Sequence, residues 1–394
     1  MATSAPAAAS RSLHIPSLDG VRACAVMLVF AAHAFAQAGV TGVLPGEFGV
    51  TVFFFLSGYL ITTLLRLEHE QSGAISFRAF YLRRVLRIFP PFYLVLTVAT
   101  VLWLVGGLPG GPRFQLDGLL SQGLFLTNYW VILNGWFNGH APGTWIFWSL
   151  AVEEHFYLLF PLVYLLLLRF VRGRGRQALV LAGMCAAVLA WRLALVFAFG
   201  AGKDRTYVAT DTRIDSILFG CILGVFANPV LDRTRIDHAT WKFILVPLAL
   251  LGLLASFVIR DPWFQESVAY TVQGICLFPL FIAAVRFSDW GPFQLLNVAP
   301  VVFIGVVSYS IYLVHPSVLW GVQQWTSSFL PPVAQDAVGL AITIAIAYGI
   351  AVAVERPAAR LRKRLSRALI PAKPAAPATP DPTPVAVAGR TARS

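Results

Sequence analysis

Apolar runs of about twenty residues alternate with short polar breaks along most of the chain. They fall at 18–38, 46–66, 91–108, 145–168, 178–200, 213–228, 243–259, 267–286, 298–328 and 335–355. A hydrocarbon core roughly 30 Å thick takes about twenty helical residues to cross. The pattern predicts an all-α fold, a polytopic membrane helical bundle of about ten transmembrane helices. A β-barrel would alternate in shorter segments. A further apolar stretch, 119–133, is short and carries Asn128. If it crossed the membrane, the basic run Arg169, Arg172, Arg174 and Arg176 would fall outside. If it re-enters, every basic loop falls on one side. The second arrangement satisfies the positive-inside rule and puts both termini in the cytoplasm of a multi-pass inner-membrane protein.

Composition agrees. Of 394 residues, 58% are hydrophobic and only 12% charged, against about 25% charged in soluble domains. The net charge of +12 sits in short loops beside the spans, where it orients the chain. With no groove-reading motif, no nucleic-acid partner is expected. Cys24, Cys185, Cys221 and Cys276 lie in apolar stretches and form no CxxC, so packing is their expected role, and no metal is expected. Residues 1–16 read as a disordered N-terminus and 17–357 as one membrane domain. Residues 358–394 read as a basic, then Pro/Ala-rich, disordered cytoplasmic tail. Ala34-Phe35-Ala36 resembles a signal-peptide cleavage site, but membrane material rather than a soluble domain follows it. No long hydrophilic insert or tandem repeat is evident, so no second catalytic domain is expected.

Polar residues inside the spans change the picture. The first run holds Asp19, Arg22 and His33. Arg22 and His33 are eleven positions apart, about three helical turns, which sets them on one face roughly 16 Å apart. Asp19 precedes Arg22 by three and shares nearly the same face. His33 then lies about half-way through the hydrocarbon, where an ionisable group points to function. Glu153 and Tyr157 share a face of the 145–168 span. Asp211, Arg213 and Asp215 stand at the mouth of the 213–228 span, where a capping ion pair would also explain them. Ser308, Tyr309 and His315 are mid-span and would also serve as ties between helices. Glu355-Arg356 closes the last span, where snorkelling accounts for Arg356. The segment Phe77–Pro90 is amphipathic and basic, with Arg78, Arg83, Arg84 and Arg87, and fits an interfacial helix ended by Pro90-Pro91. Ser57-Gly58 lets two backbones approach closely. So many buried polar groups argue for a cavity, and cavities of this kind belong to intramembrane enzymes and transporters. A structural scaffold would leave the buried charges unexplained.

The ordered set resembles the acyltransferase-3 family of integral membrane acyltransferases, many of which O-acylate cell-surface glycans. The matching pieces are Leu18-Asp-Gly-Val-Arg22 with His33, Gly49 to Gly58, Phe80 to Pro90, Trp148 to Tyr157, Arg213-Ile-Asp215 with Gly220, and Ser308-Tyr309 to His315. They span about 13–357, with Val21 and Ala23 where the family has Leu and Gly. Some members carry an extracytoplasmic esterase-like domain, for which no room is expected here. The resemblance implies transfer of an acyl group, most often acetyl, from cytoplasmic acyl-CoA to a hydroxyl of a surface glycan such as lipopolysaccharide or exopolysaccharide, or of a lipid-linked saccharide. Acyl-CoA, with acetyl-CoA foremost, is then a substrate, and no cofactor stays bound. Membrane lipid is the other partner.

The residues suit that chemistry. Arg83, Arg84 and Arg87 match donor phosphates in charge and geometry. His33 is the candidate base. Glu153 first, and Asp19 second, would orient its imidazole. Arg22 would hold the donor or support the oxyanion. Ser308, Tyr309, Tyr157, Arg213, Asp215 and His315 are candidate substrate contacts. Direct attack and a ping-pong route through acyl-His33 both remain open. The alternative is a transporter of a small molecule or glycan, which leaves the clustered arginines unexplained and for which no inverted repeat is evident.

Overall fold

A computed structural model describes residues 15–37, 44–106, 114–233 and 236–369. Helix dominates: α1 (Pro16–Gln37), α2 (Gly46–Ser72), α3 (Phe77–Gly106), short α4 (Leu116–Gly123) and α5 (Thr127–Asn134), α6 (Trp148–Phe170), α7 (Arg174–Phe197), short α8 (Lys203–Val208) and α9 (Thr210–Val225). Then come α10 (His238–Val258), α11 (Phe264–Arg286), α12 (Ala299–Val306), α13 (Ser308–Thr326), α14 (Pro332–Ile350) and α15 (Arg356–Leu369). Among the described residues there is no strand, only one isolated bridge between Phe114 and Gly139. Helices satisfy their own backbone groups, which is what a bundle in hydrocarbon requires.

Among the described residues, eight helices are long and apolar enough to cross a membrane, and α12 with α13, bent by 74° at a short break, is a broken span or a re-entrant pair. The expected single helix over 298–328 is therefore broken at Val307. There Gly305 presses on α1, and a Cβ added to it would sit 1.9 Å from the Asp19 carbonyl oxygen. The run expected at 213–228 becomes the sixteen-residue α9, about 24 Å long. Most of its residues are buried among neighbouring helices. The 119–133 stretch divides into α4 and α5, of eight residues each, and neither can cross. Phe125, at a positive φ of 57°, separates them.

Three boundaries differ from the sequence reading. The basic segment before Pro90 is not a separate interfacial helix, because α3 runs through Pro90 and Pro91 without a break. Membrane helices tolerate such prolines when neighbours serve the freed carbonyls. The basic stretch after Glu355, expected to leave with a disordered tail, is helical as far as Leu369 and packs along α3. A π turn at Ala351–Glu355 joins it to α14. Pro16, expected in the disordered N-terminus, already begins α1. Residues 1–14 and the tail beyond Leu369 lie outside the described residues.

The middle of the bundle is α2, whose apolar window is 72% buried against 22% for α7 and 28% for α10. The last two present leucines and phenylalanines outward, as a lipid face does. α2 packs on α9 with the backbones almost touching. A Cβ added to Gly58 or Gly220 would lie 1.9 Å from the carbonyl oxygen of Ile217 or Phe55. Glycines allow dispersion contacts at backbone distance, the main attraction available between helices in lipid.

Candidate active site

Two chambers stack along the bundle axis. The first, of about 320 Å³, is lined by Arg22, Arg84, Arg87, Glu153, Tyr157 and Tyr309 among others. It lies toward the end of the bundle that carries Arg78, Arg169, Arg174 and α15. A lobe of about 170 Å³ extends from it past Asp19 and Arg22 to Tyr59 and Thr63. The second chamber, of about 500 Å³, lies toward the other end and is lined by His33, Glu47, Trp136, Trp145, Trp148 and Tyr207 among others. Val50 and Tyr312 line both chambers and form the wall between them.

The first chamber is built from charged side chains at helical spacing. On α1, Arg22 donates to Asp19 Oδ1 at 2.5 Å. On α6, Glu153 accepts from Tyr157 one turn on, and Ser57 of α2 joins them, its Oγ donating to Glu153 at 3.2 Å. Arg84 lays its guanidinium 5.5 Å from the Tyr157 ring centroid, a cation–π contact that offsets part of its desolvation. Its Nε is buried without a hydrogen-bond partner. Tyr309 donates to the Ile88 carbonyl at 3.0 Å, close to the carbonyls that the two prolines leave without amide partners. Glu355 accepts from Ser310 at 2.5 Å. Arg83 is turned away from the cavity and donates to Glu68 at 2.7 Å.

His33 sits in the second chamber, and its partner is another histidine. Its Nδ1 is 3.0 Å from His315 Nε2. His315 Nδ1 in turn faces the carbonyl oxygens of Ile311 at 3.1 Å and Tyr312 at 2.9 Å. Carbonyls only accept, so His315 carries its proton on Nδ1 and offers a lone pair at Nε2. His33 Nδ1 must then donate, and in the neutral ring this leaves His33 Nε2 as an unprotonated acceptor, the form a base needs. The His33 ring packs edge-on against Trp145 at 5.2 Å between centroids. Near it, Tyr312 Oη and Ser149 Oγ are 2.6 Å apart.

This arrangement corrects part of the sequence reading. Glu153 and Asp19 belong to the first chamber, so neither orients His33. The spacing on α1 holds, but Arg22 and His33 serve different chambers, and Arg22 is too far along the helix to support an oxyanion beside His33. Arg213 and Asp215 line neither chamber and are not paired with each other. Asp215 is held by Arg192 through Nη1 at 2.8 Å and Nη2 at 2.7 Å, an ion pair shut off from solvent. Arg213 donates to Thr51 at 2.9 Å and lies 4.0 Å from the Tyr270 ring centroid. Both arginines bond a side chain on a neighbouring helix, Arg192 to Asp215 of α9 and Arg213 to Thr51 of α2. Ser308, Tyr309 and Tyr157 face the first chamber, and His315 supports His33 from behind.

The sequence reading missed Ser57 as a partner of Glu153, and it missed the aromatic wall. Trp136, Trp145 and Tyr207 come from separate short elements and share no spacing. Their one sequence signal is a run of aromatics in the polar breaks between spans.

A family model described as an acyltransferase domain matches residues 15–352. A Staphylococcus aureus (strain COL) protein provisionally named an O-acetyltransferase is 29% identical over 344 residues, covering 85% of this chain and 55% of that protein. O-acetyltransferase OatA of Staphylococcus aureus (strain NCTC 8325 / PS 47) is 33% identical over 316 residues, covering 77% of this chain and 50% of that protein. The chain thus spans about half the length of the curated relatives it matches. No solved structure matches it. The matched stretch takes in His33, Glu153, the arginines of α3 and His315, and the chain belongs to the acyltransferase-3 family.

Proposed function

We propose that the protein is an inner-membrane O-acyltransferase that moves an acyl group, acetyl by the names of its relatives, from cytoplasmic acyl-CoA to a saccharide hydroxyl. The observation that carries the reading is the His33–His315 pair beside the wall that the two chambers share. One chamber offers guanidinium groups for the donor. The other offers flat aromatic faces for the acceptor.

The donor end follows from charge. Among the described residues, Arg84 and Arg87 face the first chamber without a hydrogen-bonded carboxylate, and guanidinium binds phosphate in bidentate fashion. The chamber and its lobe suit the pantetheine arm better than the whole nucleotide, which leaves the adenosine end at the basic surface. The positive-inside rule makes that surface cytoplasmic, where acyl-CoA is available. Arg22 and Tyr309 then line the arm's path toward Tyr312.

The acceptor end follows from shape. Trp136, Trp145 and Tyr207 present ring faces on which the C–H face of a pyranose packs, and Glu47 and Asp204 offer acceptors for its hydroxyls. His33 Nε2 takes the proton of the attacking hydroxyl as its oxygen adds to the thioester carbonyl. The tetrahedral intermediate collapses, the C–S bond breaks, and the imidazolium returns the proton to the leaving thiolate. His315 Nε2 accepts from His33 Nδ1 throughout and stabilises the imidazolium, as the acid of a triad does.

The test is acetyl-CoA-dependent release of free CoA by purified protein with a saccharide acceptor. His33→Ala is expected to lower the rate by about 10²- to 10⁴-fold, the usual worth of a general base. An unchanged rate removes His33 from the chemistry. Absence of any thioester cleavage, with transport of a glycan retained, favours an exporter. Mass spectrometry of surface glycans from cells with and without the protein names the acyl group and acceptor.

A further inference from the structure

When a hydroxyl adds to a thioester, the carbonyl oxygen takes up negative charge, and a hydrogen-bond donor at that spot lowers the barrier. On the reading of donor and base given above, that oxygen stands where the two chambers meet, because the donor enters from the first and His33 lies in the second. Val50 and Tyr312 line both chambers, and of the two only Tyr312 has a polar side chain. Tyr312 precedes His315 by three positions on α13, and their ring centroids are 5.8 Å apart. The phenol and the support of His33 are therefore carried side by side on one helix. The hydroxyl lies toward the donor side: Tyr312 Oη is 2.6 Å from Oγ of Ser149, a residue that lines the first chamber and not the second.

Both hydroxyls also lie 3.2 Å from the Ile146 carbonyl oxygen, in the turn before α6. Two hydroxyls hold two protons for these three contacts, and 3.2 Å is long for an O–H donor. If Ser149 donates to Tyr312 Oη, the phenol proton is free for a third group at the cost of two long bonds. A hydroxyl that accepts one hydrogen bond also donates a stronger one. Tyr309, on the same helix, does not compete, since its Oη donates to the Ile88 carbonyl at 3.0 Å. We propose that Tyr312 Oη, backed by Ser149 Oγ, donates to the oxyanion of the tetrahedral intermediate. The phenol keeps its proton throughout. It lends a hydrogen bond while charge builds on the oxygen and releases it when the C–S bond breaks. Tyr312 is then a catalytic residue, and Ser149 a positioning residue that acts through it.

The full chain in nanodiscs is given radiolabelled acetyl-CoA and surface glycan extracted from cells that lack the protein, and label entering the glycan is followed. Tyr312→Phe keeps the ring and the wall. It is expected to lower kcat about 10²- to 10³-fold, the usual worth of an oxyanion donor, with the KM for acetyl-CoA nearly unchanged. Ser149→Ala is expected to lower kcat only about tenfold, and to add little in the Tyr312→Phe background, because it acts through the phenol. Tyr312→3-fluorotyrosine has nearly the same shape and a more acidic hydroxyl, and is expected to raise kcat. A kcat for Tyr312→Phe within about threefold of wild type overturns the proposal. So does a loss confined to the KM for acetyl-CoA. Equal losses of kcat in Tyr312→Phe and Ser149→Ala also overturn it, since the tie between α13 and α6 would then be what matters. If Tyr312→Phe does not fold, the fluorinated variant decides, and an unchanged kcat there overturns the proposal. In each of these cases wild-type transfer that is lost in His33→Ala leaves the acyl-transfer reading standing. Absence of transfer by wild type overturns that reading, and this proposal with it.

Discussion

His33 Nδ1 meets His315 Nε2 at 3.0 Å, and the other nitrogen of His315 is committed to two backbone carbonyls one turn earlier on α13. The backbone of α13 thus sets the tautomer of His315, which sets that of His33. His315→Ala is expected to lower kcat about 10- to 100-fold with little change in KM, because orientation and imidazolium stability are lost while both substrates still bind. His315→Gln, whose side-chain oxygen can accept from His33 Nδ1, is expected to retain more activity. Steady-state kinetics on the three proteins decides, and equal loss in both variants would rule out the acceptor role.

The arginines of α3 divide by their partners. Arg87 faces the first chamber and Arg83 is bound to Glu68. Arg87→Gln is expected to raise the KM for acyl-CoA about tenfold with kcat nearly unchanged, the pattern of lost uniform binding. Arg83→Gln is expected to shift that KM much less. Initial rates at varied donor concentration separate the two, and the opposite ranking would mean that Arg83, not Arg87, meets the donor.

The close approach of α2 and α9 at Gly58 and Gly220 leaves no room for a methyl group. Gly220→Ala should destabilise the detergent-solubilised protein by about 1–3 kcal/mol through overpacking. The double variant with Gly58→Ala should cost less than the two single changes together, since both open the same helix pair. Thermal melts of the single and double variants test this, and full additivity would mean that the two contacts are independent.

Asp232, in the loop after α9, ties that loop to α2 and α7. It accepts from Arg66 at 2.5 and 2.9 Å, from Arg174 at 3.0 Å and from the Asn228 amide at 2.9 Å. Burial opposes its ionisation, but the Arg66 and Asn228 hydrogen bonds outweigh that and hold its pKa below the ordinary 3.8. A depressed carboxylate contributes stability above its unfolded pKa and loses it as pH falls through the folded value. Asp232→Asn should therefore melt lower than wild type at pH 7, with the gap closing below about pH 4. A gap of constant size from pH 7 to pH 3 would show that the ionised carboxylate is not what the loop depends on.

Much of this protein is written in local order. Runs of about twenty apolar residues make membrane helices because hydrocarbon leaves the backbone no partner but itself. An offset of eleven positions from Arg22 to His33 puts both on one face because helical pitch is constant. An ordered set of short motifs was enough to suggest the family. Contacts between distant elements were not written there. The partner of His33 lies 282 positions away, and Glu153 was the better guess only because carboxylates commonly hold imidazoles. The roles of Arg213, Asp215 and Arg83 turned on which helix each one met, and the break at Val307 turned on the press of Gly305 against Asp19. The sequence alone determined the helices, their faces and the family. The tertiary structure decided which polar groups share a chamber, because helix faces carry no record of the helix they will pack against.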